Sequence, residues 1–289
     1  MKKLLAMAVT AAFTVSMLAG CGQSAETTDA SAQETETEAA DEETAGTADA
    51  ASEDTAERTT FTVGFDAEFP PYGYMDESGE YTGFDLELAQ EVCDRNGWEL
   101  VKQPIDWDSK DMELSSGAID CIWNGFTMNG REDAYTFSVP YVDNSQVFVV
   151  AADSGIAVFD DLAGKNVGVQ KDSSALAALE GDAADLAATF GNLTQYSDYN
   201  TAFMDLEQGA IDALAIDVGV ADYQIASRGE GFVKLSENLA SEQYGIGFKL
   251  GNVELKDQVE KTLLEMADDG TFGKIAEKYG LSDSVCLGK

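Results

Sequence analysis

The chain has 289 residues, with 54 Asp and Glu against 17 Lys and Arg, no histidine, and a net charge of −37. That balance argues against nucleic acid as a partner, because neutralising phosphates needs clustered Lys and Arg. The absence of histidine excludes Ser-His-Asp and Cys-His nucleophile systems and leaves little basis for a zinc enzyme.

Taken in order, the chain opens with Lys2 and Lys3 and a largely apolar run from Leu4 to Leu18. This reads as a secretory signal; the run is short for a membrane span. The following Leu18-Ala19-Gly20-Cys21 resembles the bacterial lipobox. The resemblance implies that residues 1–20 are removed. It also implies that Cys21 becomes a diacylglycerol-modified N-terminus, anchored in the cell membrane through its acyl chains. Residues 21–58 then form an acidic tether, built of Ala, Glu, Asp, Thr and Ser with no aromatic residue and Arg58 as the only base. Low hydrophobicity and same-sign charge leave nothing to bury, so the segment is expected to be disordered. A flexible chain of this length spans roughly 30–35 Å. An acidic interaction tail is the rival reading. Cys93, Cys121 and Cys286 permit one disulfide and one thiol, or three thiols, and their spacing does not choose between these.

From about residue 59 the pattern is that of a folded α/β body long enough for two modest domains. Thr60–Phe65 alternates as a strand, and Asp76–Gly79 is a turn. Phe84–Asn96 has helical periodicity and stops at Gly97. Trp98–Ile105 reads as a strand, Lys110–Ser116 as a helix stopped by Gly117, and Ala118–Ile122 as a buried strand. After the β-rich run Val147–Ala152 the alternation restarts. Val158–Leu162 is a short helix, Asn166–Gln170 a strand, and a helix follows from Ser174. Leu193–Tyr196 and Ala213–Ile216 are strands, with helices at Thr201–Gln208 and Val218–Ser227. Tyr244–Lys249 is strand-like, Val253–Asp269 a strongly amphipathic helix, and Phe272–Tyr279 a last helix.

The most informative stretch is Trp123–Arg131, W-N-G-F-T-M-N-G-R, at the end of a buried strand. Gly125 and Gly130 let the backbone turn sharply or approach a ligand. Thr127 offers a hydroxyl, and Arg131 a planar fork that matches a carboxylate. Taken alone, the stretch reads more readily as a strand-to-helix turn bearing a surface arginine than as a ligand site.

The motifs F-D-A-E-F-P-P-Y, G-E-Y-T-G-F-D-L-E-L-A, G-A-I-D-C-I-W-N-G-F-T-M-N-G-R, T-F-S-V-P-Y, K-N-V-G-V-Q-K-D-S-S-A, G-A-I-D-A-L-A-I-D, Y-G-I-G-F and D-G-T-F-G-K-I stand in that order between Thr60 and about Tyr279. In this series the chain resembles the amino-acid-binding proteins of ABC importers, the family-3 extracellular solute-binding proteins. The resemblance implies a two-lobed α/β fold of the type II periplasmic-binding-protein kind, with the ligand in the cleft between lobes. Lobe 1 would be residues 59–140 plus 245–289, lobe 2 residues 146–239, and the hinge crossings 141–145 and 240–244.

The same resemblance assigns roles. Arg131, Thr127 and the Gly125 backbone would hold an α-carboxylate, with Arg131 reached through a tighter Asn-Gly turn than the family's usual T-x-T-x-x-R spacing. Ser173 and Ser174, between a strand and a helix, fit either a helix cap or a second carboxylate contact. Asp217, at the end of the apolar strand, would take the α-ammonium or cap the next helix. Asp66 would face the side chain or amino group, and Phe69 and Trp107 would form apolar walls. Asp66, Glu68 and Asp217 together favour a basic amino acid, followed by glutamine or cystine. The implied protein is a monomeric lipoprotein that binds no metal or cofactor and works with a permease and ATPase. An enzyme on the same fold and a ligand-sensing module are the alternatives.

Overall fold

A computed structural model describes residues 58–288, so the signal segment, Cys21 and all of the tether but Arg58 lie outside the described residues. Arg58 is docked on the body, paired with Asp120 at 2.8 Å and with its guanidinium 6.0 Å from the Trp98 ring.

The first lobe is built on a five-stranded sheet in the order Glu99–Pro104, Thr60–Phe65, Cys121–Ile122, Gly247–Lys249, Tyr135–Phe137. Alternation along Thr60–Phe65 drives Phe61, Val63 and Phe65 into the core. Helix Phe84–Asn96 lays Leu88 and Val92 against that sheet, and Val253–Asp268 buries Leu255, Val259, Leu263 and Met266. A small antiparallel meander, Glu68–Phe69, Gly73–Met75 and Tyr81–Thr82, stands beside it.

The second lobe has the sheet order Asn192–Tyr196, Asn166–Gln170, Ala213–Asp217, Val142–Ala151, Phe232–Lys234. Its two inner parallel strands are nearly continuous apolar runs, as expected of strands covered on both faces. Helices Ser174–Glu180, Tyr199–Glu207 and Val218–Arg228 pack around them.

Val142–Ala151 does two jobs. Its first half pairs antiparallel with Ala240–Tyr244, and Gln146 to Val150 pair with Ala213–Asp217. The chain thus leaves the first sheet along one strand and returns along its partner, which makes this ribbon the connection between lobes. Here the structure departs from the single strand expected over Tyr244–Lys249. The backbone changes sheets at Gly245 and Ile246, whose N–H groups donate to the Phe126 carbonyl at 3.0 Å and to Ser138 Oγ at 2.9 Å. Two shorter strands result. The buried strand expected over Ala118–Ile122 contracts to Cys121–Ile122, and the short helix at Val158 is a 3-10 turn over Phe159–Leu162. Cys93 and Cys121 are buried thiols, neither in a disulfide.

Candidate functional site

The strand ends of the two sheets face one another, where open α/β sheets hold ligands. Between them lies a cavity of about 20 Å3, room for roughly one water. Phe69, Trp107, Gly125, Thr127 and Arg131 line it from the first lobe, and Gln170, Ser173, Ser174 and Asp217 from the second. The structure therefore brings eight of the nine expected site residues together. The ninth, Asp66, stands directly behind Gln170.

Arg131 supplies the positive charge. The Asn129-Gly130 turn, with Gly130 at φ +78°, folds its guanidinium back so that Nη1 donates to the Thr127 carbonyl at 3.0 Å. Nη2 donates across the cleft to the Asp172 carbonyl at 3.4 Å, and the group lies 5.0 Å from the Phe126 ring. Two backbone carbonyls leave most of its five N–H donors for an anion. Thr127 donates to Ser174 Oγ at 3.2 Å, a further contact between lobes.

Gly125 has a different job from the one expected. Its N–H donates to Asp85 Oδ2 at 2.6 Å and is not offered to a ligand. With φ +56°, and Phe69 Cε1 2.9 Å and Tyr244 Cε2 3.0 Å from where a Cβ would stand, glycine is what the close aromatic packing permits. The two serines also divide their work. Ser173 caps its helix, accepting from Leu176 N at 3.1 Å and donating to the Gln170 carbonyl at 2.8 Å, so its hydroxyl is committed. Ser174 Oγ remains in the cleft.

Asp217 stands at the start of a helix without capping it. Its Oδ1 accepts from Tyr244 OH at 2.5 Å, Gln146 Nε2 at 2.7 Å and Asn144 Nδ2 at 2.9 Å, and Oδ2 from Tyr199 OH at 3.3 Å. Burial, and then the charge of Glu242, push its carboxyl up to about 7. Asp66 accepts from Gln170 Nε2 at 2.7 Å and Glu68 N at 2.8 Å, and burial raises it to about 6. Glu68 points across the cleft, accepting from Asn200. Phe69 lies 5.8 Å from Tyr199, and Trp107 is edge-on to Phe126 at 5.7 Å.

Trp107 also borders a second hollow of about 410 Å3, lined by Asp66, Glu68, Asp106, Glu113 and Asp198 and, among the described residues, by no Lys or Arg. Sequence reasoning missed Gln170, Asn144, Gln146, Tyr199, Tyr244 and Glu242. Gln170 carried a usable signal, a polar residue closing the buried strand V-G-V-Q as Asp217 closes its own.

Two α/β lobes shut over a charged cleft and joined by a paired ribbon define a two-lobed solute-binding protein. The particular family follows from comparison: the chain belongs to the bacterial extracellular solute-binding proteins, family 3, whose profile matches residues 61–282. It is 30% identical over 226 residues to the L-cystine-binding protein TcyJ of Escherichia coli, covering 77% of this chain and 83% of that one. It is 29% identical over 221 residues to the arginine-binding extracellular protein ArtP of Bacillus subtilis, covering 75% and 84%. An ABC uptake transporter substrate-binding protein from Streptococcus pneumoniae, solved with bound histidine, superposes with a TM-score of 0.75 at 34% identity, covering 78% of this chain and 94% of that one. As a family member the protein works outside the cytoplasm. Among the described residues no helix is long and apolar enough to cross a membrane.

Proposed function

We propose that this protein captures a free amino acid, a basic one in preference, and delivers it to an ABC importer's permease and ATPase from a lipid anchor at Cys21. The observation that carries this reading is the pairing of charges. Arg131 from one lobe and Asp217 from the other line the same cavity. An α-carboxylate fits the guanidinium fork, an α-ammonium fits Asp217, and only a molecule bearing both bridges the lobes. The relatives named above bind cystine, arginine or histidine, which supports the amino-acid class.

The preference for a basic side chain rests on the acidic hollow behind Trp107. A guanidinium or ammonium reaching past Phe69 and Trp107 meets Asp66 and its neighbours. The distal carboxylate of cystine meets the same negative field. Binding alone accounts for these groups, and the reading assigns no turnover. The cavity is too small for an amino acid as it stands, so entry requires the lobes to part at the Val142–Gln146 and Ala240–Tyr244 ribbon. A calorimetric screen of the twenty amino acids and cystine tests the proposal. Arginine or lysine should bind tightest and be recovered unchanged by mass spectrometry. Tighter binding of cystine, or of no amino acid, would overturn the ligand assignment.

A further inference from the structure

Asp217 is one of a pair. Glu242, on the ribbon strand Ala240–Tyr244, is 7% exposed and Asp217 is 4% exposed. They share donors. Asn144 Nδ2 lies 2.9 Å from Asp217 Oδ1 and 2.6 Å from Glu242 Oε1, and Gln146 Nε2 lies 2.7 Å from each. Gln146 Nε2 also reaches Ser174 Oγ at 2.9 Å, one acceptor more than its two hydrogens can serve. Among the described residues neither carboxylate has an ion-pair partner.

The other groups facing the pair do not supply one. Tyr244 belongs to the same ribbon strand, Tyr199 to helix Tyr199–Glu207 and Tyr72 to the loop after Phe69, and burial holds all three phenols neutral, well above their ordinary range. Asp222, on the helix that follows Asp217, adds another negative charge near Tyr72. Among the described residues Arg131 is the single cation lining the cavity. Two buried carboxylates held by the same neutral amides, with no cation between them, cannot both ionise cheaply.

We propose that Asp217 and Glu242 share one proton in the ligand-free protein, and that the ligand's ammonium displaces it to solvent. Glu242 is then a positioning residue that sets the pH dependence of affinity. This rests on the reading of Asp217 as the ammonium partner. An ammonium brings one positive charge and three N–H donors to oxygens that the shared proton otherwise occupies. Once it is bound, both carboxylates are stabilised as anions and the proton leaves. By linkage, affinity rises with pH by up to about tenfold per unit while Asp217, pushed up to about 7 by burial and the Glu242 charge, holds its proton, and levels off above that. Glu242→Gln keeps the acceptor for Asn144 and Gln146 but removes the second charge.

The test has two arms. In the first, melting of ligand-free wild type and Glu242→Gln is followed from about pH 4 to pH 8. Wild-type stability should fall more steeply with rising pH, because the folded pair holds a proton that unfolded carboxyls have released. Parallel profiles would overturn the shared proton. In the second arm, a mixture of the twenty amino acids, adjusted to about pH 6, is added to each protein in weak buffer. Wild type should show a melting shift and release close to one proton, and Glu242→Gln the shift with much less release. A wild-type shift without release, or equal release from the variant, would overturn the displacement. Absence of any wild-type shift would instead sink the amino-acid reading, and displacement with it, while the first arm still decides the shared proton.

Discussion

Lys110 in the first lobe and Asp172 in the second form an ion pair across the cleft, and Lys110 Nζ also lies 5.2 Å from the Trp107 ring that walls the site. Lys110 is 2% exposed, whereas the Asp172 side chain is 53% exposed. Asp172 is also the one non-glycine among the described residues with positive φ, at 53°. The pair exists only while the lobes are shut, so it biases the opening equilibrium toward closure.

Asp172→Asn should weaken ligand binding slightly. Asn tolerates the left-handed backbone, so the change removes the charge without new strain. With one partner half in solvent, the pair is worth about 0.2–1 kcal/mol, or roughly a 1.5- to 5-fold rise in Kd. Titration calorimetry at low and high salt checks this, with the difference between the two proteins shrinking as salt screens the pair.

Asp85 holds the site's floor. It is fully buried, accepts from Gly125 N at 2.6 Å and Tyr141 OH at 2.9 Å, and burial pushes it up to about 7. Asp85→Ala leaves both donors unpaired and should cost about 1–3 kcal/mol for each in urea denaturation. The sign with pH is the reverse of that for a paired carboxylate. Folded Asp85, Asp66 and Asp217 keep protons that the unfolded chain sheds above about pH 4, so ligand-free stability should fall from there to about pH 7. Asp76, Asp161 and Asp269, held below their ordinary range by hydrogen bonds, contribute the opposite slope only below that window. Asp85→Asn should flatten the fall between about pH 4 and pH 7, and an unchanged slope would contradict it.

Local periodicity and glycine stops place Thr60–Phe65, Phe84–Asn96 and Lys110–Ser116 at the ends where the structure has them. Such elements are set by contacts close in sequence. The break at Gly245 and Ile246 is not, since its partners are Phe126 and Ser138. The site divides in the same way. Arg131 and Asp217 stand out as charged residues next to strand ends. Glu242, Asn144 and Gln146 are polar residues at inward positions of the ribbon strands, and their burial becomes visible only when the two strands pair. Gly125 was legible as a close approach, but Asp85's claim on its N–H was not.

The anchor makes its own prediction. If Leu18-Ala19-Gly20-Cys21 is a lipobox, as proposed, Cys21→Ser removes the thiol that would be acylated and should move the protein from the membrane fraction to the soluble extracytoplasmic fraction. Fractionation, with mass spectrometry of the N-terminal peptide, measures it. Membrane retention of the variant would contradict the anchor.

The central claim is that Arg131 and Asp217 hold the two ends of one amino acid, and calorimetry on Arg131→Ala and Asp217→Asn tests it most directly. The amino acid to use is the tightest found in the screen, with circular dichroism confirming the fold. Removing one member of a charge-assisted pair in a desolvated cleft costs about 2–5 kcal/mol, because its partner stays buried and unpaired. Each variant should therefore lose roughly 30-fold to several thousand-fold in affinity. Arg131→Lys should recover little, since an ammonium lacks the bidentate fork. Wild-type affinity in both folded variants would place the ligand elsewhere and contradict the account.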